Sequence, residues 1–141
     1  MIWFLIAVLA AGLLVLAVVS GSQTAPKKVG GKKAHVNKEL VHQRWQAIQA
    51  MNSGTGSNLK SAVAEADKLL DYVMRQSGYG GETMAERLKR AQKNLSNRNA
   101  VWEAHKLRNA LAHEVTFDLV PKQAHEAVAA YYQALKDLGA L

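Results

Sequence analysis

The chain opens with an unbroken run of apolar positions. Residues 2–19 contain no charged side chain. A helix of this length spans roughly 27 Å, close to a bilayer hydrocarbon thickness of about 30 Å. Trp3 stands near one end, where an indole favours the membrane interface. The pattern predicts a single transmembrane helix within residues 1–20. A signal peptide cleaved after Ser20 is the alternative. A signal peptide, however, has a basic residue before its apolar core, and no lysine or arginine precedes this run.

Beyond this run, apolar positions recur every three or four residues, which is the period of an amphipathic helix. Polar, glycine-rich breaks at 52–57 and 77–81 interrupt the pattern. No segment alternates with a period of two, so strands are not expected. The predicted helices cover about 37–51, 58–76, 83–91, 98–114 and 121–138. The predicted fold class is therefore all-α: an up-and-down bundle of four to five helices, preceded by a single N-terminal transmembrane helix.

Local signals mark several helix ends. Asn58 is placed to cap the second predicted helix, and Thr83 followed by Glu86 has the spacing of a capping box. Pro121 suits the first turn of the last helix because its fixed φ is already helical. Four inward positions on the first helix and five each on the second and last are expected to form the core: Leu40, Val41, Trp45, Ile48; Leu59, Val63, Ala66, Leu70, Val73; Ala124, Val128, Tyr131, Leu135, Leu138.

The net charge of +7 is unevenly distributed. Lys27, Lys28, Lys32 and Lys33 follow the apolar run closely, whereas the chain after residue 34 carries only +3. Lysines on one side of a membrane helix predict that this side is cytoplasmic, so the N-terminus is expected outside and the C-terminal domain in the cytoplasm. The same lysines suit anionic lipid headgroups. We therefore divide the chain into an anchor (1–20), a basic flexible tether (21–35) and a helical domain (36–141).

The composition excludes several kinds of chemistry. The chain has no cysteine, which excludes disulfides and thiolate zinc sites. It also lacks a glycine-rich phosphate loop and a carboxylate cluster with metal-ligand spacing. Neither a cofactor nor a metal site is predicted.

The helix at 98–114 carries the residues best suited to chemistry. Projected at about 100° per residue, one side is apolar and predicts the core face. The opposite side mixes aromatic, small and polar residues, which favours a self-association surface where two copies of this helix meet. The predicted core positions are Ala100, Ala104, Leu107 and Leu111, and the opposite positions are Val101, Trp102, His105, Arg108, Asn109, Ala112 and His113.

These polar residues match the needs of RNA cleavage. A histidine such as His113 can take the proton of a ribose 2′-hydroxyl or protonate the leaving 5′-oxygen. Arg108 can bind the phosphate and stabilise its transition-state charge, and Asn109 can orient either partner. His105 and Lys106 are candidate RNA-contacting or supporting residues. Arg108 and His113 lie about 140° apart around the helix, so a second copy could complete the site.

The segment Arg108-Asn-Ala-Leu-Ala-His113 resembles the motif of the HEPN superfamily, which is Arg, a polar residue, three variable residues and His. Residues 101–107 also look like the HEPN motif helix, and the resemblance extends over 36–139. It implies a helical bundle that forms a homodimer through the motif helix. It also implies a metal-independent endoribonuclease with Arg108 and His113 as the catalytic pair and Asn109 as the polar motif residue.

Two functions remain open at this stage. One is a membrane-tethered, dimeric endoribonuclease that acts on RNA in the cytoplasm. The other is a non-catalytic membrane-tethered module that dimerises or binds a partner protein or RNA. The +3 charge of the domain favours the second, because dedicated RNA binders are commonly more basic. Arg108, Asn109 and His113 together favour the first.

Overall fold

A computed structural model of the protein describes residues 35–141, and the predicted anchor and most of the predicted tether lie outside this range. The described residues form helices and no strand, which confirms the all-α prediction for this part of the chain. None of these helices combines the length and apolar character needed to cross a membrane. The elements are α1 (Lys38–Asn52), α2 (Ser57–Gln76), α3 (Met84–Ala91), a 3₁₀ turn (Gln92–Asn94), α4 (Arg98–His113) and α5 (Pro121–Asp137).

Most helix ends agree with the sequence signals. Thr83 caps α3 by accepting a hydrogen bond from the Glu86 N–H at 3.2 Å, and the Glu86 carboxylate accepts one from the Glu82 N–H at 2.7 Å. Pro121 is the first residue of α5, as predicted. The prediction for Asn58 was wrong. Helix α2 begins one residue earlier, at Ser57, with Gly56 at the N-cap in a positive-φ conformation.

Helix α2 is the centre of the bundle and contacts each of the other four helices. Its predicted apolar stripe is entirely buried, and the stripes of α1 and α5 also face inward. Leu40 and Leu138, at the ends of those two stripes, are only half-buried. The core therefore forms around α2, with α4 and α5 packed against it and against each other.

Helix α4 presents a different face to the core from the one predicted. Val101, Ala104 and His105 are its buried residues, whereas Ala100 is exposed and Leu107 and Leu111 are half-buried. The prediction is confirmed for Ala104 but was wrong for Val101 and His105, which it placed on the opposite side. It failed for His105 because it assigned every polar residue to the outside. A buried carboxylate on α2 provides a partner for His105, so this polar side chain can face inward.

A buried arginine fixes α3 against α2. Arg87 donates to the Asp71 carboxylate at 2.6 Å and to the Gly81 carbonyl at 2.5 Å, at the end of the glycine-rich turn. Gly81 has a φ of 142°, and a Cβ there would lie 2.8 Å from the Cβ of Glu86. The turn therefore requires glycine at this position for both conformational and steric reasons.

Three hydrogen bonds connect the two residues before α4 to α5. The backbone N–H and the hydroxyl of Ser96 both donate to the Asp137 carboxylate at 2.7 Å. The side-chain amide of Asn97 donates to the Ala130 carbonyl at 3.0 Å. These contacts hold the N-terminal end of α4 on α5 and so set the position of the motif helix.

This connection should make stability depend on acidic pH. Partial desolvation acts to raise the pKa of Asp137, but the hydrogen bonds from Ser96 and Gln133 outweigh it, and the pKa is lowered. A carboxyl group with a lowered folded-state pKa stabilises the fold above its unfolded value of about 3.9. That contribution disappears as the pH falls through the folded-state pKa.

We therefore expect Asp137→Asn to lower the free energy of unfolding at neutral pH, and to lose this effect in acid. Solvent screening limits the difference to under about 1 kcal/mol. Urea unfolding of both proteins between about pH 2 and 7 measures it. A difference of equal size at both ends of this range would contradict the assignment.

Candidate functional site

The site is built around a carboxylate inside the bundle. Asp67 lies on α2 between Val63 and Leu70 of the apolar stripe, and it is 4% exposed. A carboxylate in such a position is unfavourable unless hydrogen bonds and opposite charge compensate for its lost hydration. Its partners come from α4 and α5, so the carboxylate joins three helices.

Two side chains share one oxygen of this carboxylate. His105 Nδ1 and the Tyr131 hydroxyl each lie 2.8 Å from Asp67 Oδ1. Burial raises the pKa of Tyr131 far above its ordinary value, and the charge of Asp67 acts in the same direction. The Tyr131 hydroxyl therefore remains protonated and donates its hydrogen. The ring centroid of Trp102 lies 6.3 Å from that of His105, in an edge-on arrangement.

The second oxygen faces the arginine of the motif. Arg108 Nε lies 3.7 Å from Asp67 Oδ2, and Arg108 Nη1 lies 3.3 Å from Asn109 Oδ1. Asn109 Nδ2 lies 3.4 Å from His105 Nε2. The Arg108 side chain is 31% exposed, so it borders both the buried carboxylate and solvent. A guanidinium held in this way can still present nitrogen donors to an external anion.

The structure unites some of the predicted site residues and separates others. Arg108, Asn109 and His105 share one hydrogen-bonded group with Asp67. His113 is the last residue of α4; it is exposed and does not belong to this group. Lys106 is exposed and forms an ion pair with Glu103 at 2.7 Å. Within one chain, Arg108 is therefore held by contacts with Asp67 and Asn109, whereas His113 is exposed to solvent.

Sequence reasoning did not assign Asp67 and Tyr131 to the site. A signal for Asp67 was available, because it follows Val63 by four residues and precedes Leu70 by three. An acid at those spacings faces the core and needs partners there. Tyr131 was correctly predicted as a core residue, but its hydroxyl partner depends on how α5 packs on α2, which periodicity does not specify.

An apolar groove lies on the face of α4 that the sequence predicted as core. Its volume is about 780 Å³, and it runs between α4 and α5 under Phe117 of their connector. Small side chains dominate its walls, among them Ala100, Ala110 and Ala127. Lys106 and Glu103 also border it. The groove exposes apolar surface on the motif helix next to the candidate site.

No protein-family model, curated protein or solved structure matches the chain. Within residues 35–141, no group of three or more histidine, aspartate or glutamate side chains is placed to hold a metal ion.

Proposed function

We propose that the chain is a membrane-anchored, metal-independent endoribonuclease of the HEPN kind. The observation that carries the proposal is the setting of Arg108. Its guanidinium is braced by Asp67 and Asn109 while its side chain stays 31% exposed, and the exposed His113 lies on the same helix. A positioned cation and an imidazole are the groups that metal-free cleavage of RNA requires, and a second copy of the chain can bring the two together.

In the proposed reaction, the 2′-oxygen of the RNA attacks the adjacent phosphorus and the bond to the 5′-oxygen breaks. One proton leaves the 2′-hydroxyl and another reaches the leaving 5′-oxygen; His113 moves one of these protons, and solvent water accounts for the other. Arg108 donates hydrogen bonds to the phosphate oxygens and stabilises their growing charge. The products are a 2′,3′-cyclic phosphate and a free 5′-hydroxyl. Lys106, on the exposed side of α4, is available for contact with the RNA backbone.

We further propose that two copies form the working enzyme through their motif helices. Arg108 points toward Asp67 inside its own bundle, whereas His113 is exposed at the end of α4. A second copy can bring its His113 to the first copy's Arg108. The surface available for this contact is the exposed end of α4, including Ala112, because Val101 and His105 of the originally predicted surface are buried.

The membrane attachment is part of the proposal. Residues 2–19 would form the anchor, with the N-terminus outside and the helical domain in the cytoplasm, where RNA is present. Lys27, Lys28, Lys32 and Lys33 would lie beside the inner leaflet and attract anionic headgroups. An enzyme tethered in this way acts on RNA that comes close to the membrane.

The test is RNA cleavage by the full-length chain, purified in detergent and assayed in EDTA. We expect 2′,3′-cyclic phosphate ends and unchanged activity after chelation. Arg108→Ala should lower the cleavage rate by about 10²–10³-fold, because it removes a donor to the charged transition state. Arg98→Ala is the matched control, since Arg98 is an exposed arginine at the first position of the same helix.

A folded full-length chain that cleaves no RNA, or equal activity of Arg108→Ala and the wild type, would overturn the ribonuclease proposal.

The second candidate function is a non-catalytic module that docks a partner. The α4–α5 groove favours it, because about 780 Å³ of space with mostly small apolar walls suits an apolar side-chain row of another protein.

A further inference from the structure

In the hydrogen-bonded group around Asp67, the donor and the acceptor can be assigned at each contact. An ionised carboxylate only accepts hydrogen bonds, so both groups at Asp67 Oδ1 must donate. Tyr131 donates through its hydroxyl. His105 must donate through Nδ1, which therefore carries a proton.

The proton on Nδ1 decides the rest of the arrangement. In a neutral imidazole with a proton on Nδ1, the other nitrogen is an acceptor. His105 Nε2 thus accepts from Asn109 Nδ2 at 3.4 Å. The amide of Asn109 is then oriented with its oxygen away from His105, where it accepts from Arg108 Nη1 at 3.3 Å. Each link in this series determines the donor or acceptor role of the next.

We propose that Asp67 and His105 are positioning residues that hold Arg108 in place through the Asn109 amide. The buried carboxylate selects the tautomer of His105, this tautomer selects the orientation of the amide, and the amide oxygen holds the guanidinium. We name this series the positioning chain: Asp67, His105, Asn109 and Arg108.

Other protonation states do not fit the same contacts. Asp67 on α2 contacts His105 directly, and Tyr131 on α5 and Arg108 on α4 contact the same carboxylate. A doubly protonated His105 would direct an N–H from Nε2 at the Asn109 NH₂ group. Turning the amide to relieve this would direct the NH₂ group at Arg108 instead, and Arg108 Nη1 would lose the Asn109 oxygen as its acceptor.

Burial makes the arrangement selective. Asp67 and His105 are 4% and 7% exposed, so water cannot readily replace a mismatched partner. Neither group is open to a bound RNA, which is why they act through Arg108 and are not catalytic residues themselves. Of the two roles expected for His105, RNA contact or support of the site, its burial favours the supporting role. The catalytic consequence rests on the proposed ribonuclease function, because it assumes that Arg108 must be pre-oriented for a phosphate.

The test measures protonation without RNA. The ring nitrogens of His105 are observed by two-bond ¹H–¹⁵N correlation spectra of the full-length, ¹⁵N-labelled chain in detergent at neutral pH. In the wild type we expect widely separated ¹⁵N shifts, with the protonated nitrogen assigned to Nδ1. A proton on Nε2 alone, or on both nitrogens, would overturn the positioning chain.

Asn109→Asp is the decisive variant. Its carboxylate still accepts from Arg108, but it offers only acceptors to His105 Nε2. His105 should therefore gain a second proton, and its two ¹⁵N shifts should become nearly equal. Asn109 is only half-buried, so the fold should tolerate this change. If His105 keeps the wild-type shifts in Asn109→Asp, the protonation of His105 does not depend on the group at position 109. That result would also overturn the proposal.

Asn109→Leu provides the matched control. It removes both amide contacts without adding a charge, so His105 should keep its widely separated shifts while the Arg108 guanidinium nitrogens become averaged by free rotation. An Arg108 that stays equally ordered in Asn109→Leu would overturn the last link. These readouts separate the two proposals, because an inactive protein with the expected shifts refutes only the ribonuclease, and an active protein without them refutes only the positioning chain.

Discussion

Asp67→Ala should lower the free energy of unfolding by about 3–5 kcal/mol, which is a large part of the stability of a domain of this size. The substitution removes one small carboxylate, but it leaves three groups without their partner. The hydroxyl of Tyr131, which is 0% exposed, and the Nδ1–H of His105 lose their acceptor. Arg108 loses the negative charge 3.7 Å from its Nε.

The reason for the size of this effect is that buried donors without an acceptor each cost about 1–3 kcal/mol. Urea unfolding followed by circular dichroism measures the change. Glu65→Ala is the matched control, because Glu65 lies on the same helix and pairs with Lys68 at 2.9 Å near the surface. We expect less than about 0.5 kcal/mol for this control. Similar losses for the two variants would mean that Asp67 does not hold the three helices together.

Tyr131→Phe separates the parts of this effect. It keeps the aromatic ring in the core and removes only the hydroxyl, so the loss should be smaller than for Asp67→Ala. The difference between the two variants then reports on His105 and Arg108, which share the carboxylate with Tyr131.

The bundle could be predicted from sequence where a helix has one apolar face and no conflicting polar residue on it. The α2 positions Leu59, Val63 and Val73 are all buried, as their spacing indicated. Pro121 fixed the start of α5 for a local reason, the conformation of its ring. In both cases the information lies within one or two helical turns.

In helix α4, apolar periodicity does not predict all of the buried residues. Of the predicted stripe at 100, 104, 107 and 111, Ala104 is buried, but Val101 and His105 from the opposite side are buried as well. The decisive information lies 38 residues earlier in the sequence, at Asp67, which compensates the buried histidine. Periodicity treats each helix alone, so it cannot show that a polar residue on one helix meets its partner on another.

The candidate site, like the fold, could be predicted only in part from the sequence. The motif identified Arg108, Asn109 and His113, and two of these are hydrogen-bonded to each other. Their common support by Asp67 and Tyr131 depends on the packing of α2, α4 and α5. Whether Arg108 and His113 act together depends on a second copy of the chain, and that role stays a prediction.

His113→Ala should reduce RNA cleavage by about 10²–10⁴-fold, which is the usual contribution of a general acid or base. The fold should be unaffected, because His113 is exposed at the end of α4 and lies outside the buried group around Asp67. This separates it from Asp67→Ala, which should reduce stability and activity together. His42→Ala is the matched control, since His42 is an exposed histidine on α1. Cleavage rates under single-turnover conditions, with helix content measured in parallel, provide the comparison. If His113→Ala and His42→Ala retain equal activity, the imidazole of His113 does not move the proton, and the catalytic pair must be abandoned even if Arg108 proves essential.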